Sequence, residues 1–235
     1  MTPSLRAIRQ ISQIKISAIK ISPIKINPIK SRTSRWALLP LAALWFGAAQ
    51  AFVITISPGT RAVYLRVGNG VFTGTYQGGG TPGSGGALNK VSVTVPAAQL
   101  GNGSDQLMTS DGTQTTSHYD GYTFCNVPNE VYVGGFYRRS TTTGSASLTV
   151  SSPANLGNGS GDSIPFTQIA WASSGNGDTD AQPIPAGSFN GGVQTLASFP
   201  ANTWRESCHR FRYSNDAVVA AGTYTGRVVY TLSAP

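Results

Sequence analysis

The chain has 235 residues and a formal charge of +8, and that charge sits at one end. Residues 1–51 carry Arg6, Arg9, Lys15, Lys20, Lys25, Lys30, Arg32 and Arg35 and no acid, which leaves 9 basic residues against 9 acidic ones in the remaining 184. The body is therefore neutral. This excludes the basic footprint of a nucleic-acid-binding domain and leaves little charge to keep copies of the chain apart.

Residues 11–30 read ISQIK ISAIK ISPIK INPIK, four copies of one pentad. Five residues turn a helix by about 500°, so the isoleucines share no helical face. An odd period also flips faces along a strand. Pro23 and Pro28 interrupt either structure. The expectation is a basic, low-complexity leader without regular structure. An Ile/Lys segment lying on a membrane surface is the sharper alternative.

Arg35 to Ala51, RWALLPLAALWFGAAQA, follows. A basic flank, an apolar run from Trp36 to Ala49 and a small-x-small end have the layout of a secretory signal peptide cleaved before Phe52. The run is about 14 residues and contains Pro40, whereas a membrane-spanning helix needs about 20. The reading is export, with contact to the membrane only during that step; a retained anchor is the alternative. It gives a leader and signal peptide over 1–51 and one domain over 52–235. Cys125 and Cys208 both lie in the exported part, where an isolated pair forms a disulfide.

From residue 52 onward the pattern is β. Of the 28 glycines, 27 lie here, with one lysine (Lys90) and two glutamates (Glu130, Glu206). Such a composition favours strands and tight turns. Val53–Ser57 alternates and stops at Pro58-Gly59. Val63, Leu65 and Val67 alternate, and so do Val91, Val93 and Val95 before Pro96. Residues 68–86 and 174–191 are glycine-rich loops. Strands are expected at Tyr122–Cys125 and Val131–Val133 around a Pro128-Asn129 turn, and near Leu148. Others are expected at Ile164–Trp171, Val193–Phe199, Trp204–Tyr213 and Thr223–Leu232. No segment holds a 3.6-residue period. Short strands at this spacing point to an all-β, antiparallel sandwich or barrel.

Catalytic material is sparse. His118-Tyr119-Asp120 offers a base beside an orienting acid, but no nucleophile motif accompanies it. No catalytic residue, metal site or cofactor is predicted. Asn176, Asp178 and Asp180 alternate as calcium loops begin, yet Ala181 and Ser188 stand where such a loop needs Gly and Glu. A solvated turn is the expectation. Trp204, Arg205, Arg210 and Arg212 form a candidate binding patch. Alternation places Trp204, Glu206 and Cys208 on one face and His209, Phe211 and Tyr213 on the other, with the arginines stepping out to solvent.

The last strand, AGTYTGRVVYTL over 221–232, and the alternating FVITIS over 52–57 carry a resemblance. An exported small β-domain ending this way resembles bacterial fimbrial subunits of the chaperone–usher type, including spore-coat-U-like pilins. The resemblance implies an incomplete immunoglobulin-like sandwich, completed first by a periplasmic chaperone and then, at an usher, by the N-terminal strand of the next subunit. Phe52, Ile54 and Ile56 are then the donor side chains, and the partners are copies of the chain or other fimbrial subunits. The location is the periplasm, then the cell surface, a fimbrium or the medium. Two features depart from the family: the cysteines are late and far apart, and the chain ends in Ser-Ala-Pro. The expected role is a structural subunit assembling by strand addition; a lectin-like secreted domain and a secreted hydrolase are the rivals.

Overall fold

The computed structural model describes residues 8–22, 54–70, 72–73, 81–82, 88–178 and 180–235. The expected signal segment, Phe52 and most of the 68–86 loop lie outside the described residues. In chain order the strands are β1 (Ile8–Ser22), β2 (Ile54–Thr55), β3 (Ala62–Val67), β4 (Phe72–Thr73), β5 (Thr81–Pro82) and β6 (Asn89–Pro96). Then come β7 (Gln106–Leu107), β8 (Thr109–Ser110), β9 (Val131–Arg138), β10 (Ser145–Ser151), β11 (Asn155–Gly157) and β12 (Ser163–Pro165). The last are β13 (Ile169–Ser174), β14 (Gly187–Ser188), β15 (Val193–Pro200), β16 (Thr203–Tyr213) and β17 (Thr223–Ala234). Helical structure among the described residues is limited to two 3-10 turns, Ala97–Gln99 and Phe166–Gln168.

The fold is an all-β sandwich, as the composition predicts. One sheet runs β12-β11-β17-β1-β6-β8, with β10 and β15 added beside β17; the other runs β14-β13-β16-β9-β3, with β2 and β7 on β16. Among the described residues every strand pairing is antiparallel except β1 with β6. Val91, Leu148, Val228 and Tyr230 of the first sheet pack against Leu65, Val133, Trp171 and Phe211 of the second in one continuous core.

The second sheet is buried on both faces. Along β9, Val131, Val133 and Tyr137 enter the main core, while Tyr132 and Phe136 enter a second cluster behind the sheet. The near-continuous apolar run VYVGGFY is what a strand covered on both sides looks like. Tyr64, Phe136 and Trp204 stand in register across β3, β9 and β16, their ring centroids 5.7–5.9 Å apart. Phe124 and the disulfide cover them.

Three sequence expectations change. The stretch Tyr122–Cys125 is not a strand; apart from an isolated Thr116–Thr123 bridge it is a loop, because the disulfide pins it as a cover over the second cluster. The strand expected over Ile164–Trp171 is cut by the 3-10 turn after Pro165. The largest difference is the leader. Ile8–Ser22 is a strand of 15 residues. An odd period flips faces only along an unbroken ladder. The register instead skips Ala18 against both neighbours, passing from Ser17 to Ile19 along β17 and from Ile16 to Ile19 along β6. One bulged residue absorbs the odd step, so Ile14, Ile16 and Ile19 all reach the core and are fully buried.

Candidate functional site

Two places in the fold are built around N-terminal segments. The first is the groove between β6 and β17. Among the described residues these strands meet only through β1, which pairs with β17 from Ile8 to Lys20 and with β6 from Ile14 to Ser22. The floor is the main core, so each of Ile14, Ile16 and Ile19 gains about 1.5–3 kcal/mol of gross burial by entering it. At the end toward Ile8, Gln10 Oε1 accepts a hydrogen bond of 2.7 Å from the Leu65 amide, tying the strand to the opposite sheet. On the outer face Lys15 stands in register between Arg227 and Lys90. Like charges directly opposite one another weaken a ladder.

The second place is the corner behind the second sheet. Ile54 and Ile56 pack there with Tyr64, Phe136 and Trp204. Among the described residues the strand β2 that carries Ile54 pairs with β16 alone, at Thr203 and Trp204, and the Ile56 amide adds a bond of 2.9 Å to Asn202 O. Phe52, the third expected donor residue, lies outside the described residues. Cys125 and Cys208 are bonded, with Cα atoms 5.5 Å apart.

Polar groups fill the rest of that corner. Glu206 is buried and accepts hydrogen bonds from Ser117 Oγ at 2.6 Å and Tyr132 Oη at 2.5 Å. Burial raises its pKa, and these hydroxyls oppose the rise. Arg66, also buried, donates to Gly68 O and to Gln114 Oε1, both at 2.7 Å, and lies 3.4 Å from His118 Nδ1. Burial, helped by Arg66, lowers the His118 pKa to about 4. Gly134 stands in register between Arg66 and Glu206, where a Cβ would come within 2.9 Å of the Glu206 Cβ. Only glycine leaves room for the Tyr132 ring to close over this pair.

A pocket of about 340 Å³ opens beside it, walled by Asp120, Tyr122, Asp178, Asp180, Trp204 and Arg205. The structure thus joins Trp204 and Arg205 of the expected patch to the 174–191 loop. Arg210 is not part of it and faces solvent, and Arg212 pairs with Asp105 at 3.0 Å at the other end of β16. His118 and Asp120 do not address each other: His118 faces Arg66, and Asp120 accepts from the Tyr122 amide. Both oxygens of Asp178 hold protein donors, the Asp180 amide at 3.0 Å and Gln182 Nε2 at 3.2 Å. The three-residue grouping of metal-ligand type among the described residues is Cys125, Glu130 and Cys208, and the disulfide occupies both sulfurs. His209 is fully buried, stacked on Trp171.

Sequence reasoning missed the groove. Its signal was the Ile-x-Ile formed where one pentad meets the next, as in Ile14-Lys15-Ile16, which a bulge between such pairs keeps on one face. Compared with known protein families, characterised proteins and solved structures, the chain finds no match.

Proposed function

We propose that the chain is an exported structural subunit that assembles with copies of itself by β-strand addition, with the groove between β6 and β17 as the acceptor. The observation that carries this is β1 itself. A segment joined to the body only through residues 23–53 supplies a central strand, with three fully buried isoleucines. Cleavage before Phe52 removes that segment. The cleaved body then has two open strand edges and an uncovered core, and satisfies both by taking a strand from elsewhere. An immunoglobulin-like sandwich held by a periplasmic chaperone, an usher and a fimbrium are what the sequence resemblance adds to this reading.

The test is export of the full chain from a bacterial host, with N-terminal sequencing and electron microscopy of the product. A product starting at Phe52 and recovered as polymers is expected. A product starting at Phe52 that stays a stable monomer would overturn the reading. The pocket beside Trp204 supports a second reading, a saccharide-binding domain, since the exposed Tyr122 ring lies among carboxylates suited to sugar hydroxyls. Glycan-array binding by a folded monomer would favour it.

A further inference from the structure

The cavity beside Trp204 has braced walls. Its two loops hold each other: the Asn176 amide donates to Phe124 O at 2.9 Å, and Asn176 Nδ2 donates to Thr123 O at 3.3 Å. The first loop is also closed on itself by the Ser117 amide on Tyr122 O at 2.8 Å, and it is pinned by the Cys125–Cys208 bond. On this frame the Tyr122 ring stays 58% exposed. The ring rests against Gly177, which has a φ of +81°, and a Cβ there would stand 3.3 Å from the ring. Phe124 and Pro183 add apolar wall. At about 340 Å³ the cavity is at the small end of ligand pockets.

An exposed ring on a fixed wall gives a sugar its stacking face, and the charge of the lining decides which sugar. Asp120, Asp178 and Asp180 line the cavity with one cation, Arg205, so three carboxylates less one guanidinium leave −2. The buried Glu206 already holds the Ser117 and Tyr132 hydroxyls. Among the described residues none of the three aspartates forms a salt bridge, and no protein donor reaches the Asp180 carboxylate. The amide donors on Asp120 and Asp178 leave further lone pairs open.

We infer that the cavity takes a sugar with a free amino group, a glucosamine unit, its ammonium on the aspartates and an apolar ring face on Tyr122. This deepens the saccharide reading and rests on it. An ammonium brings three donors and no acceptor to a lining rich in acceptors, and these bonds are charge-assisted. The aromatic face attracts the same cation. Acetylation of the nitrogen removes the charge and adds a carbonyl acceptor. A uronic acid adds a further negative charge to the lining and is repelled. Arg205, which forms no salt bridge among the described residues, is left to donate to the sugar's hydroxyl oxygens.

The test is calorimetric titration of the full chain with tetramers of glucosamine and of N-acetylglucosamine at about pH 6, where the amine is protonated. The glucosamine tetramer should bind about tenfold more tightly, and added salt should shrink that preference. Asp180→Asn should weaken its binding about three- to fivefold, and Tyr122→Ala should weaken both tetramers, with melting temperatures unchanged. Equal or tighter binding of the acetylated tetramer would overturn the amino-sugar assignment while leaving the saccharide reading standing. Equal binding of cadaverine, a diamine without a sugar ring, would overturn it as well. Wild-type binding by both variants would overturn the site. Failure of amino, acetylated, neutral and acidic tetramers alike to bind would sink the saccharide reading itself.

Discussion

The two N-terminal strands are held in opposite ways. The leader strand enters a long groove between two neighbours through a repeated pattern, and its side chains fit by kind and spacing. The strand β2 enters a corner with individual partners: Trp204, Phe136 and Tyr64 stacked in register, and a disulfide behind them. The groove takes its strand through Ile-x-Ile spacing with one bulge. A corner of rings is shaped for one. Repetition with one bulge holds the first strand, and irregular aromatic packing holds the second.

The largest expected effect is in the corner. Trp204 is almost fully buried between two aromatic neighbours, so Trp204→Ala should cost about 3–5 kcal/mol in chemical denaturation. A cost under 1 kcal/mol would mean that the corner is not the scaffold. The disulfide comes next. It closes a sequence separation of 83 residues, and Cys208→Ala should cost about 2–5 kcal/mol, with mass spectrometry of unreduced, alkylated wild type showing no free thiol.

Acid should loosen the core that both sheets share. Burial pushes the His209 pKa down from 6.5 to about 4. The folded form therefore binds its proton less readily than the unfolded form. Its stability contribution is full above about pH 6.5 and is lost as pH falls through about 4, amounting to about 3 kcal/mol. His118, shifted the same way but half-buried, adds less. Glu206 has the opposite sign, because its raised pKa favours the fold as the carboxylate takes up a proton. Thermal melts between pH 7 and 4 should show falling stability, and His209→Gln should flatten that fall. An unchanged slope in the variant would assign it elsewhere.

The smallest effect tests the groove. Lys15→Glu places a carboxylate between Arg227 and Lys90 and should strengthen leader insertion by about 0.2–1 kcal/mol, seen as slower proteolysis of residues 8–22 at low salt. Added salt should narrow the difference between variant and wild type. A salt-independent difference would point to packing instead of charge.

Much of this molecule was legible in the chain. Alternating valines, glycine-rich turns and scarce helix formers specified a sandwich because they act locally, through period and turn chemistry. The Cys125–Cys208 bond was legible because only two cysteines exist. The split of β16 into a Trp204, Glu206, Cys208 face and a His209, Phe211, Tyr213 face followed from strand geometry alone. What only the tertiary structure decided is where the ladder breaks. A bulge at Ala18 depends on two neighbouring strands that already face the core, so no local rule announces it. That one unpaired residue turns a five-residue repeat from a pattern that fits neither helix nor strand into the strand that closes the sheet.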